Sequence, residues 1–132
     1  MNPLTSEWIE KAEKDFATAS REIRARKMPN YDAVCFHAQQ CAEKYLKAIL
    51  QERNLPFGKT HNLTALLDLL LPYEPSWELM RPSLQRLGVF AVQVRYPGDS
   101  ADKSIGREAL NLCRVIRSRA RFSLGLENET GK

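Results

Sequence analysis

Between Asn30 and Arg53, nine apolar or small side chains (Val34, Cys35, Ala38, Cys41, Ala42, Tyr45, Leu46, Ala48 and Ile49) fall on one continuous helical arc of roughly 160°. A helix lying on a surface needs a narrower stripe. An arc this wide predicts a helix at the centre of a bundle, and its small members let a neighbouring backbone come close. The opposite arc carries His37, Gln39, Gln40, Glu43, Lys44, Lys47 and Gln51 and is expected to face solvent. Phe36 and Leu50 interrupt it as two exposed apolar residues, and a second copy of the chain is the simplest partner for them.

The rest of the chain follows the same period. Apolar residues recur at three and four, and no sustained alternation of the kind a half-buried strand shows is present. The fold class is therefore all-α. A first helix should be capped at Thr5 or Ser6, with Glu7 and Glu10 in its first turn. It should bury Trp8, Ala12, Phe16, Ala19 and Ile23 and end near Lys27, ahead of Pro29. The central helix runs from Asn30 or Tyr31 to Arg53, and residues 54–59, with Pro56 and Gly58, form a loop.

Thr60 or His61 then opens a short helix bearing Leu63, Leu66, Leu67 and Leu70, closed by Pro72 and Pro75. Ser76 is expected to cap a helix from Trp77 to about Val94, which Pro82 either kinks or restarts. The turn Arg95-Tyr96-Pro97-Gly98-Asp99 leads to a last helix from about Ala101 to Leu124. The core stripe of that helix is Ile105, Ala109, Leu112, Cys113, Ile116 and Ala120. A single domain should span residues 1–126, with a polar tail over 127–132. At 132 residues, one bundle takes up nearly the whole chain.

Charge is unevenly placed. Of the net +4, most sits in residues 101–132, which hold seven basic and four acidic residues. Lys103, Arg107, Arg114, Arg117 and Arg121 gather within roughly 80° of the last helix. Such a stripe is either a solvated face or a contact for phosphate or an acidic partner.

Three cysteines without paired spacing argue against a disulfide framework and for a reducing, cytoplasmic setting. The polar start, Met1 to Ile9, does not read as a signal peptide, and no apolar run is long enough for a membrane span.

Residues able to carry chemistry are few. Arg95 falls at the edge of the apolar arc of its helix and should point toward the bundle. There its guanidinium needs an anion, because leaving it unpaired would cost several kcal/mol. Glu43, an acidic residue of another chain, or a bound phosphate would each serve. His37 and Cys41 have the i, i+4 spacing of two metal ligands, but two do not make a site, so no metal is expected. His61 is expected to take part in capping or local hydrogen bonding. No serine or cysteine has a local histidine and acid to activate it, and no glycine loop for phosphate is present. No cofactor is implied.

The run Cys35-Phe36-His37-Ala38-Gln39-Gln40-Cys41-Ala42-Glu43-Lys44-Tyr45-Leu46-Lys47-Ala48, then Thr60-His61-Asn62-Leu63, then Arg95-Tyr96-Pro97-Gly98, resembles the HEPN family (higher eukaryotes and prokaryotes nucleotide-binding domain) in its small stand-alone form. The likeness extends from Trp8 to about Leu126. It implies an up-and-down bundle of four main helices with one short extra helix, usually dimeric.

Many such proteins are metal-independent ribonucleases whose site is an Arg, four to six residues, then a His, supplied by both subunits at a dimer cleft. Counting from Arg95, the three positions for that His are Ser100, Ala101 and Asp102, so the chain departs from the motif. The resemblance then implies a partner of a separately encoded minimal nucleotidyltransferase in a toxin–antitoxin-type pair. In that reading Arg95, Tyr96, His37, Gln40 and Lys44 line a cleft for a nucleotide or RNA phosphate. The alternatives are a ribonuclease with a diverged site, in which Arg95 and His37 would act, and a non-catalytic interaction module.

Overall fold

The structure, a computed structural model, describes residues 1–94 and 96–127. Five α-helices make the bundle: α1 Pro3–Glu22, α2 Tyr31–Glu52, α3 Leu63–Leu70, α4 Arg81–Gln93 and α5 Lys103–Ser123, with a 3₁₀ segment Pro75–Met80 leading into α4. No strand occurs among the described residues. Four long helices and one short one run up and down, as the periodicity requires.

The central helix starts and stops where its sequence says. Asn30 Oδ1 accepts from the Ala33 amide at 3.0 Å, and beyond Glu52 the chain turns through Asn54, whose φ of 57° suits asparagine. All nine residues of the predicted arc are buried.

The other side of α2 was expected to be wet, and only part of it is: His37, Gln40, Lys44 and Gln51 keep some exposure. Gln39, Glu43, Lys47 and Leu50 are buried as well, and of the two apolar residues only Phe36 stays exposed. The cover comes from far away in the chain. Trp8 of α1 lies under the Lys47 ammonium, 5.4 Å from ring centre to nitrogen, and Phe57 meets Trp8 edge-on at 6.0 Å.

Other boundaries shift by a few residues, each for a local reason. α1 opens at Pro3, because Asn2 Oδ1 caps the Leu4 amide at 2.8 Å and proline is pre-set for a first turn. Glu7 and Glu10 therefore fall beyond the first turn, and Thr5 is buried instead of capping. The helix stops at Glu22, whose carboxylate accepts from the Asn30 amide at 3.0 Å and draws the chain across to α2. At α3 the cap is Asn62, accepting from Thr64 and Ala65 at 3.1 Å each, so neither Thr60 nor His61 opens the helix.

Ser76 is not a cap. It lies inside the 3₁₀ segment that Pro75 begins, and Pro82 sits in the first turn of α4, where its missing N–H costs nothing. Asp102 caps α5 through the Ile105 amide at 2.8 Å.

α1 and α2 run antiparallel, tied at one end by the Asn2 amide on Glu52 (3.0 Å) and at the other by Glu22. α5 crosses close to both at Gly106. A Cβ there would lie 3.2 Å from Ile23 Cδ1, so glycine lets three helices meet. Nearby, Asp32 of α2 accepts from the Ala101 amide at 2.6 Å and fixes the approach to α5. The described helices include none long and apolar enough to cross a membrane.

Candidate functional site

Three polar groupings surround α2, and they divide the residues singled out in the sequence. The first lies between α1 and α2. Asp15, itself buried, accepts from His37 Nδ1 at 2.7 Å through one oxygen and from Lys44 Nζ at 2.6 Å through the other. His37 is also set edge-on against Phe36, with ring centres 5.2 Å apart. The two expected cleft residues are thus brought together, but by a carboxylate of their own chain.

The second grouping faces α3. Glu43 is buried, with a side chain only 3% exposed, and receives three donors. Lys47 Nζ reaches Oε2 at 3.0 Å, Gln39 Nε2 reaches Oε1 at 3.3 Å, and His61 Nδ1 lies 3.0 and 3.2 Å from the two oxygens. Gln39 Nε2 also donates to the His61 carbonyl at 3.1 Å, which ties the chain before α3 onto α2. Gln40 joins through its Nε2 on Gln39 Oε1 at 2.9 Å.

His61 therefore does not serve as a cap; it is clamped by a carboxylate 18 residues away in sequence. Its imidazole is 71% exposed, and Nε2 has no partner among the described residues. A carboxylate on Nδ1 fixes the tautomer with the proton on that nitrogen and presents Nε2 as an acceptor.

This second grouping opens onto a groove of about 550 Å³ between α3 and α4. Gln39, His61, Asn62, Gln85 and Gln93 supply its polar rim, and Leu84, Val89 and Val92 its apolar wall. Among the described residues, no aspartate or glutamate lines it. Val89 and Val92 are each about half exposed, as is Phe36 on α2. Amides and an imidazole with no acid among them suit an anionic or planar polar ligand.

The third grouping is internal. Glu13 holds Arg117 with two parallel hydrogen bonds of 2.7 and 2.8 Å, and the guanidinium lies 4.4 Å from the Phe16 ring centre. Tyr45 donates its hydroxyl to Glu13 and accepts from Arg121 at 3.2 Å. Burial opposes ionisation of Glu13, but the hydrogen bonds from Arg117 and Tyr45 outweigh it and hold the carboxyl below its ordinary range. Burial, with Glu13 beside it, pushes the Tyr45 phenol up.

The basic stripe is thereby cut short. Lys103, Arg107 and Arg114 are exposed, and none has a carboxylate partner among the described residues; Arg114 donates to Asn111 at 3.0 Å. Arg117 is buried against α1, and Arg121 bends back to Tyr45 and the Glu127 carbonyl. Helical projection placed both on the outer face, but the long side chains reach a carboxylate and a phenol that projection cannot see.

His37 and Cys41 do not converge on a common point. His37 is on Asp15, while the buried Cys41 thiol contacts Cys113 and is raised by burial and that contact. No group of three or more potential metal ligands occurs among the described residues. Tyr96 is exposed in the turn that Gly98 closes at φ 93°. Arg95 lies outside the described residues, as do residues 128–132 of the tail; the Glu43 proposed as its partner is taken by Lys47 and His61.

One carrier of chemistry escaped the sequence reading, the His61–Glu43 pair. A signal was there in the line Gln39, Glu43, Lys47, three polar residues at successive i, i+4 positions beside an unusually wide apolar arc.

A helical bundle whose central helix carries polar side chains into a groove at its flank defines a class of small all-α domains. Within that class the chain belongs to the HEPN domain family, whose model matches residues 5–122. Its fold is similar to that of an archaeal HEPN homologue known from a crystal structure, with a TM-score of 0.68 and 24% identity over 91% of this chain and 97% of that one. No curated protein matches the chain.

Proposed function

We propose that this chain is a HEPN module that binds a nucleotide or RNA phosphate in a cleft completed by a second copy of itself. In this reading it works with a separately encoded minimal nucleotidyltransferase in a toxin–antitoxin-type pair. The observation that carries the binding reading is the groove between α3 and α4, lined by no carboxylate among the described residues and rimmed by His61, Gln39, Gln85 and Gln93. Its apolar wall, Val89 and Val92, suits a base, and its amides and imidazole suit phosphate oxygens.

The half-exposed Val89, Val92 and Phe36 are the residues that a second copy would cover. Arg95, outside the described residues, and the exposed Tyr96 next to it in sequence are proposed to complete the site. Gln40 adjoins it through Gln39, while His37 and Lys44 reach a ligand only by exchanging Asp15 for it. Lys103, Arg107 and Arg114 form a separate face for RNA or an acidic partner.

Calorimetric titration of the chain with AMP and with short single-stranded RNA tests the reading. Saturable binding that Arg95→Ala and His61→Ala weaken at unchanged melting temperature supports it; no binding, or binding indifferent to both changes, overturns it. Co-expression with a nucleotidyltransferase encoded beside the gene should give a complex that survives gel filtration.

A further inference from the structure

The outer face of α5, toward its C-terminal end, holds an apolar strip that the groove does not use. Val115 is half exposed and Phe122 is 73% exposed; they stand seven residues apart, about 10 Å along one side of the helix. With Met80 of the 3₁₀ segment, Ser118 and Arg119 they line a shallow hollow of about 460 Å³. Leu79, next to Met80 in sequence, is 78% exposed.

Charge of one sign flanks the strip. On a helical projection Arg107 and Arg114 fall along one edge and Arg119 along the other. None of the three has a carboxylate partner among the described residues. Arg114 donates to Asn111, and Arg119 donates to the Ser76 hydroxyl and lies 5.9 Å from the Trp77 ring centre. The nearby acids are already engaged. Glu108, the only acid in the α5 sequence, is bound by Arg86, and Glu78, two residues before Met80, by Arg81.

An apolar seam of i, i+7 residues with charges along both edges is one half of a helix pair, and the edges select the other half. A second copy of α5, laid parallel or antiparallel, would bring arginine against arginine. Single-stranded nucleic acid wants flat rings to stack on. Val115, Met80 and Leu79 are aliphatic, and Phe122 already has the Arg119 guanidinium 5.7 Å from its ring centre. A helix with one aliphatic stripe and carboxylates on either side of it satisfies the seam and both edges together.

We propose that the C-terminal half of α5 is a docking surface for an acidic amphipathic helix of a partner protein. The inference rests on the α5 face assigned above and narrows its occupant to a protein; it is independent of the α3–α4 groove. Aliphatic side chains of the partner sit over Ser118, between Val115 and Phe122. Its carboxylates reach Arg107 and Arg114 on one side and Arg119 on the other.

The test uses the full chain and a fluorescent peptide three heptads long, with leucine at the seam positions and glutamate at the flanks. A second peptide carries lysine in place of each glutamate. The expected result is saturable binding of the glutamate peptide, at least about tenfold tighter than that of the lysine peptide. Val115→Glu/Phe122→Glu should weaken it by about tenfold or more at unchanged melting temperature. Arg107→Glu/Arg114→Glu should reverse the preference between the two peptides, which a loss of folding cannot imitate.

Equal binding of the two peptides, or binding indifferent to both double variants, overturns the inference. So does loss of self-association in Val115→Glu/Phe122→Glu, which would make a second copy the occupant. Single-stranded RNA or phosphatidylglycerol vesicles bound through these residues in place of the glutamate peptide overturn it too, while keeping α5 as a binding face. A face that takes up neither peptide, RNA nor vesicles removes the inference and the α5 reading together.

Discussion

His61 Nδ1 and the Glu43 carboxylate stand 3.0 Å apart, joining the loop before α3 to the middle of α2. Glu43 thus faces two ways. Lys47 neutralises it inside the bundle, and His61 carries its influence out to the groove.

Removing Glu43 alone should be costly. Glu43→Ala leaves the Lys47 ammonium, 6% exposed, without its anion, and the expected loss is about 3–5 kcal/mol. Glu43→Gln/Lys47→Met should retain most of the stability, because two groups of similar shape replace the pair. Urea unfolding of the two variants separates these outcomes.

Acid should weaken the bundle through Glu13. Its folded pKa lies below the ordinary 4.5, so its contribution is fully present above that value and is lost as pH falls through the lower, folded pKa. Glu13→Gln should flatten the acid limb of a stability–pH curve while lowering stability at neutral pH. A curve of unchanged slope below pH 4.5 would show that Glu13 does not set that limb.

Two helical glycines should respond in opposite directions. A Cβ at Gly88 meets nothing within 4 Å, so Gly88→Ala should stabilise by about 0.5–1 kcal/mol through helix propensity. Gly106→Val should destabilise by about 1–3 kcal/mol, because its Cβ already crowds Ile23 and Tyr31. Thermal unfolding reads both.

The thiols should be inert in the folded chain. Cys35, Cys41 and Cys113 are fully buried, and burial pushes the Cys35 thiol up to about 11, with Asp32 adding to the effect. A colourimetric thiol reagent at mildly alkaline pH should label none of them until denaturant is added. Rapid labelling of native protein would contradict the packing of α2 against α5.

What the residues disclosed in advance, and what they hid, has a common cause. The wide arc of α2, its Asn30 cap and the alternation of helices with proline-marked turns are local features, and they fixed the architecture to within a few residues. The burial of Gln39, Glu43 and Lys47 is not local, since an i, i+4 Glu–Lys pair reads the same whether Trp8 covers it or water does. Arg117 was misplaced for the same reason: its partner, Glu13, is 104 residues away. The site was half visible through the His61 and α2 motifs, but the groove that unites them depends on how α3 and α4 pack.

The central claim is that phosphate ligands occupy the α3–α4 groove, and an NMR titration of the labelled chain with AMP tests it most directly. The account predicts saturable shifts of the Gln39, Gln85 and Gln93 side-chain amides, of the Gly88 amide and of the His61 ring. Shifts confined to Lys103, Arg107 and Arg114 on α5, or none at all, would contradict it.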